Sequence, residues 1–398
     1  MKTNFPKMPS RNIQSKPLAA RRRVGGVTLV ELMVAMTLGL AIVAAVSYVY
    51  LSGTQGYKAQ DAQSRMQEDA RFLIETLSRD IRMAGYFGCT RPAVYDGQAT
   101  IETIASQPIM TVDTTWLMAS GNDNSPDRRF VDMQYVLRGF TPSEASTSLA
   151  LPAAVKSTTT GSGRLTGTDV LMILRSGDDA QHVIPNADPK NSVAFSIAKD
   201  IEGRGSNQTM VVSDCSTAKI FKPTVSSPSS GVYTVTAANA LNRNNNASGE
   251  IDDLFVHFGA DAVVTNFEPV VYFVAQATTA NPSPTLRRVG LVTNSALNQG
   301  AWAANGGQTV VTGVESLTFS YVVRGNPAPA VATAAMTTAD WANVTAVNVQ
   351  FSLVAADIST RTNSTTQTVG GTSVTDSKLR QAYNFTVGVR GRQFSWSS

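Results

Sequence analysis

Cysteine, histidine and charged residues are all scarce in this 398-residue chain. It has two cysteines and two histidines, and only 16% of its residues are charged. Cys89 and Cys215 lie too far apart in sequence for the paired clusters of a structural zinc site. His182 and His257 belong to no HExxH or Cys/His motif. No metal site is therefore predicted.

Sequence motifs of catalysis are missing as well. There is no GxSxG nucleophile elbow, no GxxxxGK[ST] phosphate loop and no GxGxxG fingerprint after a strand. The asparagine-rich segment Asn242–Glu250 faintly resembles an oxygen-rich calcium loop, but it lacks the leading carboxylates that such loops need. Calcium binding there is a weak alternative. The sequence predicts neither an enzyme nor a cofactor.

The positive charge of the chain is concentrated at its beginning. The net charge is +4 and the isoelectric point is about 9.0. Residues 1–26 contain seven basic residues and no acid: Lys2, Lys7, Arg11, Lys16, Arg21, Arg22 and Arg23. Removing those seven from the 33 basic residues leaves 26 against 29 acidic residues. The remainder is mildly acidic, so we infer no nucleic-acid partner.

A long apolar run follows this basic segment, from Val27 to Leu51. As a helix its 25 residues would span about 37 Å, enough to cross a hydrocarbon core of about 30 Å. The arginines before it predict a cytoplasmic amino end. Glu31 is the single charge in the run. A carboxylate near the centre of a membrane costs about 2.5–3.5 kcal/mol, and a simple anchor gains nothing from that cost.

The apolar run continues into an amphipathic helix. Small and apolar residues recur there at intervals of three and four: Ala62, Met66, Ala70, Leu73, Leu77, Ile81 and Ala84. This spacing forms one stripe on a helix. No proline interrupts the chain between Val27 and Ala84, and Gly85 and Gly88 provide a stop signal. We predict a single helix of nearly sixty residues, apolar in its first half and amphipathic in its second.

The junction between the basic segment and the helix resembles a type IV prepilin processing site. The resemblance lies in Gly26-Val27-Thr28-Leu29-Val30-Glu31-Leu32-Met33. It implies cleavage after Gly26 by a prepilin peptidase and methylation of the new amino terminus at Val27, although the family most often has phenylalanine at that position. Glu31 matches the family's acidic residue. An ion pair between Glu31 and the new amine of another subunit would offset the burial cost and set the axial register.

A second resemblance, at the end of the helix, is to PilW-type minor pilins. It lies in Met83-Ala84-Gly85-Tyr86-Phe87-Gly88-Cys89. Weaker later blocks are Thr168–Leu171, Asp214-Cys215, Gly313–Leu317 and Leu379–Arg392. The resemblance implies a structural protein of a priming or tip complex in pilus assembly. Its partners would be other minor pilins, the major pilin and, at the tip, an adhesin.

Several alternatives to a minor pilin stay open. A cleaved secretory signal would need a shorter apolar region than this one. A generic signal anchor explains everything except Glu31 and the Gly26 boundary. A type II secretion pseudopilin shares the processing site and the long helix. A membrane-anchored periplasmic binding module that never polymerises is a further alternative.

The rest of the chain has the pattern of short β-strands separated by polar loops. The clearest alternations of apolar and polar residues lie at 317–323, 347–353 and 383–389. Further strands are predicted at 130–137, 170–174, 232–235 and 270–275, and surface loops near 278–285, 325–340 and 359–376. The helix needs an apolar partner, which the sheet provides. The predicted fold is α+β, with a long helical spine packed on an antiparallel sheet.

These observations predict four segments in an inner-membrane protein with a single pass. They are a cleaved basic leader (1–26), a membrane-spanning half-helix (27–51), an amphipathic half-helix (52–88) and a periplasmic β-rich domain (89–398). In an oxidising periplasm, Cys89 and Cys215 would form a disulfide, and the alternative is two separate buried thiols. Closing a loop of about 126 residues would contribute about 4–5 kcal/mol.

Overall fold

The computed structural model describes most of the chain from residue 26 to residue 390. The described residues are 26–88, 109–112, 136–147, 151, 153–158, 163–184, 194–199, 201, 210–214, 217–221, 223–225, 231–237, 258–278, 283–294, 299–302, 307–326, 328, 330–337, 340–341, 343–355, 364–369 and 372–390. The chain forms two compact units, one up to Gly56 and one from Tyr57 onward.

Helix α1 spans Leu29–Arg82, which confirms the single long helix. Within the first unit, every residue from Val27 to Leu51 is exposed, including the large apolar ones. Among the described residues, α1 is the one helix that is long and apolar enough to cross a membrane. An apolar surface without protein neighbours is stable in a hydrocarbon environment and unfavourable in water.

The part of α1 in the second unit buries the predicted stripe. Met66, Ala70, Leu73, Leu77 and Ile81 are almost fully buried, as is Ala84 just after the helix, while Ala62 is partly buried. They pack in the largest hydrophobic core, together with side chains from two β-sheets. The apolar face that the sequence pattern predicts is therefore the helix face that packs against strands.

The described strands form four sheets rather than the single sheet that we predicted. Their bounds are β1 Ile109–Val112, β2 Leu137–Phe140, β3 Val170–Ile173, β4 Gln181–Ile184, β5 Ala194–Ile197, β6 Met210–Ser213, β7 Thr217–Phe221, β8 Pro223–Val225, β9 Tyr233–Ala237, β10 Val263–Asn266, β11 Val270–Ala275, β12 Thr285–Asn294, β13 Gln299–Trp302, β14 Gln308–Thr312, β15 Val314–Val323, β16 Val331–Ala332, β17 Val344–Val354, β18 Thr365–Val369, β19 Thr372–Asp376 and β20 Arg380–Gly388. Short helices α2 (Pro142–Thr147) and α3 (Ala153–Lys156) and a 3-10 turn (Thr333–Ala335) lie between strands.

A four-stranded antiparallel sheet contains the three strongest predicted strands. Its order is β16-β15-β17-β20, and β17 pairs along its length with both long neighbours. One face of these strands contributes to the core against which α1 packs, including Leu317, Tyr321, Val349 and Phe351. Alternation with polar residues matches a sheet that is buried on one face.

A second sheet is buried on both faces at its strands β2, β3 and β11. Its strand order is β13-β12-β11-β3-β2, and β14 also pairs with β12. In β11, Tyr272 and Val274 face the core that includes α1, while Val271 and Phe273 face a smaller core beside α2 and α3. Burial on both faces explains why β3 and β11 are continuous apolar runs without alternation.

The third sheet has eight strands in the order β1-β7-β6-β10-β4-β5-β9-β8, and it has a separate core. Its β1–β7 pair is parallel, whereas its other pairs are antiparallel. A β18–β19 hairpin forms the fourth sheet.

Three of the predicted loop and strand boundaries differ from the structure. The β18–β19 hairpin corrects the loop predicted near 359–376, because its threonines and valines flank a Gly-Gly pair and favour a hairpin. Similarly, β16 and the 3-10 turn lie in the loop predicted near 325–340. Strand β12 begins at Thr285, the last residue of the loop predicted near 278–285. The strand predicted at 130–137 is described only from residue 136, and β2 begins at its last position.

Candidate assembly site

The first candidate site is the beginning of α1. Thr28 precedes the helix and acts as its N-cap: its Oγ1 accepts a hydrogen bond from the Glu31 backbone N–H at 3.2 Å, and its carbonyl accepts one from the Leu32 N–H at 3.1 Å. Thr28 and Glu31 have the spacing of a capping box. An acid in the first turn is also favoured by the helix dipole. Part of the role of Glu31 is therefore to stabilise the start of α1.

The carboxylate of Glu31 is exposed, as are Gly26 and Val27. Within the described residues no basic side chain forms a salt bridge with it. Gly26, Val27 and Glu31 thus lie together on one short segment, as the sequence requires. The arginines at 21–23 and both cysteines lie outside the described residues, as does the asparagine-rich segment 242–250.

A buried ionic cluster, which we did not predict from the sequence, joins α1 to the second sheet. Asp80 is 4% exposed, and its carboxylate accepts a hydrogen bond of 2.6 Å from the Tyr272 hydroxyl. The Arg288 Nε lies 2.9 Å from the same oxygen, and Arg175 lies 3.3 Å from the other one. Because two cations and a hydroxyl surround it, the buried carboxylate is compensated.

The cluster extends outward from Arg175. This arginine also pairs with Glu268 at 2.8 Å and with Asp178 at 3.4 Å, and Asp178 pairs in turn with Arg79 of α1. The side chains of Asp178 and Arg79 are about half exposed or more. The network thus runs from a buried carboxylate on the helix to charged groups at the surface.

Two donors of the cluster, Tyr272 and Arg288, have pKa values above their usual ones. Burial and then repulsion from Asp80 raise the pKa of Tyr272 well above its usual value, so its hydroxyl stays a donor. Burial acts to lower the pKa of Arg288, but attraction to Asp80 and Tyr272, together with hydrogen bonding to both, outweighs this effect and raises the pKa. Tyr272 and Arg288 therefore both donate to the carboxylate throughout the physiological range.

The turn after α1 explains the glycines in the Met83–Cys89 motif. Gly85 has φ of 71° and donates its N–H to the Leu174 carbonyl at 2.8 Å. Gly88 has φ of 85°, and a Cβ at this position would overlap Ser213 Oγ. Phe87 is buried, with its ring centroid 6.0 Å from that of Phe267. Glycine is required at both positions because the φ angles are left-handed.

The block that begins at Thr168 connects β3 to the four-stranded sheet. Asp169 accepts hydrogen bonds from the Phe319 N–H at 3.1 Å and from the Thr333 hydroxyl at 3.0 Å, and it is 8% exposed. Burial raises its pKa, although these two hydrogen bonds act in the opposite direction. The contacts of Asp169 fix the start of β3 against β15.

The last block of the family resemblance contains a second connecting residue, Arg380. Its guanidinium forms bidentate contacts with Glu315 of β15 and with Asp376 of β19. These contacts fix the position of the β18–β19 hairpin relative to the four-stranded sheet.

The described residues contain no group of three or more His, Cys, Asp or Glu side chains that could hold a metal ion. His182 lies exposed on β4, and His257 lies outside the described residues. Within the described residues, the charged clusters connect elements of the fold, and the apolar side chains of α1 from Leu29 to Leu51 are exposed.

Comparison with known proteins identifies the motifs. The prokaryotic N-terminal methylation motif matches residues 21–47, and the model of the type IV pilus-assembly protein W matches residues 271–391. A solved type IV-like pilin from Thermus thermophilus is similar at 13% sequence identity, covering 48% of this chain and 87% of that chain, with a TM-score of 0.20. No curated protein matches the chain at a significant level.

The methylation motif and the exposed apolar helix make this chain a membrane-anchored component of a type IV pilus. More particularly, the chain is a minor pilin of the PilW type. Such pilins are structural proteins rather than enzymes, and they function by contacting other pilus components.

Proposed function

We propose that this minor pilin is inserted in the inner membrane with its basic leader in the cytoplasm and its β-rich domain in the periplasm. A prepilin peptidase cleaves between Gly26 and Val27 and methylates the new amine of Val27. Three features support this proposal: the match to the methylation motif, the positive leader, and a helix whose apolar side chains are exposed from Val27 to Leu51.

The exposed carboxylate of Glu31 is the observation that carries the assembly role. The backbone N–H of Glu31 donates a hydrogen bond to Thr28 Oγ1. Within the described residues, however, no cation compensates the charge of the Glu31 carboxylate in the membrane-spanning half-helix. A partner supplied by another pilin would remove most of the cost of burial. The amine that cleavage creates has the required positive charge. Pairing of one subunit's amine with another subunit's Glu31 would then set the axial register.

Substitution of Glu31 tests this role. We expect Glu31→Ala and Glu31→Gln to leave cleavage and membrane residence intact, because the charge is needed only after insertion. Piliation should fall in both, since neither side chain can form an ion pair with an amine. Amino-terminal sequencing and electron microscopy of surface pili measure the two steps.

Thr28→Ala is the matched control for the local role of Glu31. It removes the N-cap, at a cost of about 1 kcal/mol to the helix, but keeps the carboxylate. Pili should therefore persist in Thr28→Ala. Normal piliation in both Glu31 variants would contradict the pairing, and equal loss in Thr28→Ala would assign the effect to the helix start.

The particular assembly step that we propose is a priming or tip complex with other minor pilins, which starts polymerisation by the major pilin and presents an adhesin. The family match supports pilus assembly, and the β-rich unit from Tyr57 onward supplies extensive surface for lateral contacts. Deletion should abolish surface pili and twitching while leaving exoprotein export intact. Loss of export with normal pili would assign the protein to a type II secretion system.

A disulfide between Cys89 and Cys215 is part of the same proposal. Both residues lie outside the described part of the chain, but their neighbours Gly88 and Ser213 approach closely, because a Cβ on Gly88 would overlap Ser213 Oγ. Residues 88 and 213 are one and two positions from the cysteines. A bridge would tie the end of α1 to the third sheet.

Reduction of the full-length protein in mild detergent tests the disulfide. Without reductant, no thiol should react with an alkylating reagent under denaturing conditions. Reduction, or the change Cys89→Ser, should lower the unfolding free energy by up to about 4–5 kcal/mol, less any strain. Two reactive thiols in protein purified from the membrane without reductant would contradict the bridge.

A further inference from the structure

The apolar part of α1 contains two tyrosines close to its carboxyl-terminal end. Tyr48 and Tyr50 are 76% and 70% exposed, and both belong to the first unit of the chain. Residues two positions apart in an α-helix are separated by about 200° around the axis, so the two side chains lie on opposite sides of α1. A contact with a protein partner would favour aromatic residues on one face. Tyrosines on opposite sides instead fit surroundings that are the same all round, as lipid is.

The hydroxyl groups of this apolar segment are of two kinds. Those of Thr37 and Ser47 donate to main-chain carbonyls of the same helix, at 2.9 and 2.8 Å. Because these bonds satisfy the hydroxyl groups without water, the two side chains are compatible with hydrocarbon. Within the part of the chain that the structure describes, the hydroxyls of Tyr48 and Tyr50 have no partner. In a membrane, each tyrosine therefore needs its hydroxyl to reach water or a lipid headgroup.

The distance from the start of α1 to the tyrosines matches the thickness of a bilayer core. Tyr48 follows Leu29, the first residue of α1, by 19 positions. This corresponds to about 29 Å along a helix, against about 30 Å for the hydrocarbon core. Residues 32–47 include no charged side chain. The tyrosines thus lie where a helix that begins at one boundary of the core reaches the other boundary.

We propose that Tyr48 and Tyr50 form an aromatic collar that binds the headgroup boundary of the periplasmic leaflet and sets the depth of α1 in the membrane. Tyrosine prefers this boundary because its ring is apolar and its hydroxyl is polar. The part of α1 in hydrocarbon then ends at Ser47 rather than at Leu51. The inference rests on the orientation in the membrane that is proposed above.

A fixed depth has a consequence for the assembly site. Glu31 precedes Tyr48 by 17 positions, or about 26 Å along the helix, so it lies about 4 Å inside the cytoplasmic boundary of the core. A carboxylate costs less there than at the centre of the bilayer. Gly26 and Val27 precede the helix and lie just outside the same boundary, where a cytoplasmic peptidase can reach the bond between them. The collar therefore positions both the cleavage site and Glu31.

Single cysteine substitutions over residues 43–56, apart from the two tyrosines, test the position of the collar. The full chain is expressed in cells without the prepilin peptidase and the other pilins, and spheroplasts are treated with a thiol reagent that cannot cross the membrane. Mass spectrometry locates the label on the tryptic peptide 24–58, which contains neither native cysteine. Positions 43–46 should stay unlabelled, and positions 52–56 should be labelled.

Two double substitutions show whether the tyrosines set this boundary. Tyr48→Leu with Tyr50→Leu extends the apolar segment as far as Leu51, so the first labelled position should shift by about one turn, or about 5 Å, toward residue 56. Tyr48→Trp with Tyr50→Trp is the matched control, because tryptophan also prefers the headgroup boundary, and it should keep the original position. The same boundary in the leucine and tryptophan variants would overturn the proposal.

The other boundary of α1 provides a second measurement. On inverted membrane vesicles, the same reagent should label cysteines at positions 26–28 but not at 33–36. In the leucine variant this boundary should shift in the same direction and by the same distance as the first one, because the helix moves as a rod. A cytoplasmic boundary that does not move would mean that the collar does not set the depth of Glu31.

Two further results separate the collar from the other proposals. If positions 52–56 stay unlabelled on spheroplasts, the orientation in the membrane is wrong and the collar fails with it. Labelling of these positions with no shift in the leucine variant leaves the orientation intact and removes only the collar. A boundary that appears only in cells containing the other pilins would mean that the tyrosines contact a pilin, and this result would also overturn the proposal.

Discussion

Asp80 is the residue on which the attachment of α1 to the second sheet most depends. Its carboxylate has three partners, Tyr272, Arg175 and Arg288, all on or beside strands of that sheet. Hydrophobic packing along the stripe holds the helix against the sheets but does not fix the position of the helix along its own axis. A hydrogen-bonded ionic cluster with defined geometry does fix that position.

We predict that Asp80→Ala lowers the unfolding free energy by about 3–5 kcal/mol, because two arginines would be left without their buried counter-charge. Urea unfolding of the full-length protein in mild detergent measures this change. Asp178→Ala is the matched control: Asp178 also pairs with Arg175, but its side chain is 48% exposed. Its loss should cost about 1 kcal/mol or less. An equal effect of the two substitutions would contradict the role of Asp80.

Single residues differ in how far the sequence reveals them. The apolar stripe of α1 was predictable because spacing alone determines which side chains share a face. Asp80 follows Leu77 by three residues and so falls beside that stripe, which is a usable signal for a buried acid. Its partners were not predictable, because all three are at least 95 positions away in sequence. Thr28 could have been identified from its capping-box spacing with Glu31.

The β18–β19 hairpin is an element held in place by one arginine. Arg380 begins β20, and it contacts Glu315 of β15 and Asp376 at the end of β19. Hydrogen bonding to Arg380 is the main cause that lowers the pKa of Asp376 to about 2. The attachment of the hairpin to the four-stranded sheet therefore depends on a charged Asp376.

A pH titration tests this attachment. Because the pKa of Asp376 is lower in the folded protein than the unfolded value of about 3.9, its contribution to stability is present above about pH 4 and is lost as the pH falls to about 2. We predict that Asp376→Asn destabilises the protein near pH 5 and that its difference from the unmodified protein shrinks toward pH 2. Thermal unfolding at a series of pH values measures it. A difference that does not change with pH would contradict the prediction.

At the level of elements, the sequence was most informative where one face is buried. The strands β15, β17 and β20 alternate clearly, and all three were predicted. The number of sheets was not predictable, because pairing of distant strands, such as β4 with β10, leaves no local pattern. The hairpin at 365–376 was missed because its threonines were interpreted as loop residues, although threonine favours strands.

The whole molecule combines one unit whose apolar surface is exposed with another that has several buried cores. Exposure of the first unit is consistent with lipid around a single subunit and with neighbouring helices in an assembled filament. The same helix surface would thus serve both environments, which have similar polarity. In the proposed role, the subunit would exchange one environment for the other when it is assembled.

The proposed orientation in the membrane is testable on spheroplasts. Protease added to spheroplasts should digest the β-rich unit from Tyr57 onward, because it would lie on the periplasmic side. A fragment containing residues 27–51 should be protected by the bilayer, since its 25 residues span about 37 Å as a helix. In cells that lack the prepilin peptidase, a tag placed before Arg21 should stay inaccessible until the cells are lysed.

The charge of the leader should determine this orientation. Replacing Arg21, Arg22 and Arg23 with glutamate should reduce correct insertion, because positive residues hold the amino end in the cytoplasm. The same protease assay on spheroplasts measures the fraction that is inserted correctly. Protection of the β-rich unit in the unmodified protein would indicate the opposite orientation. In that orientation Val27 would lie on the periplasmic side, where a cytoplasmic peptidase cannot reach it.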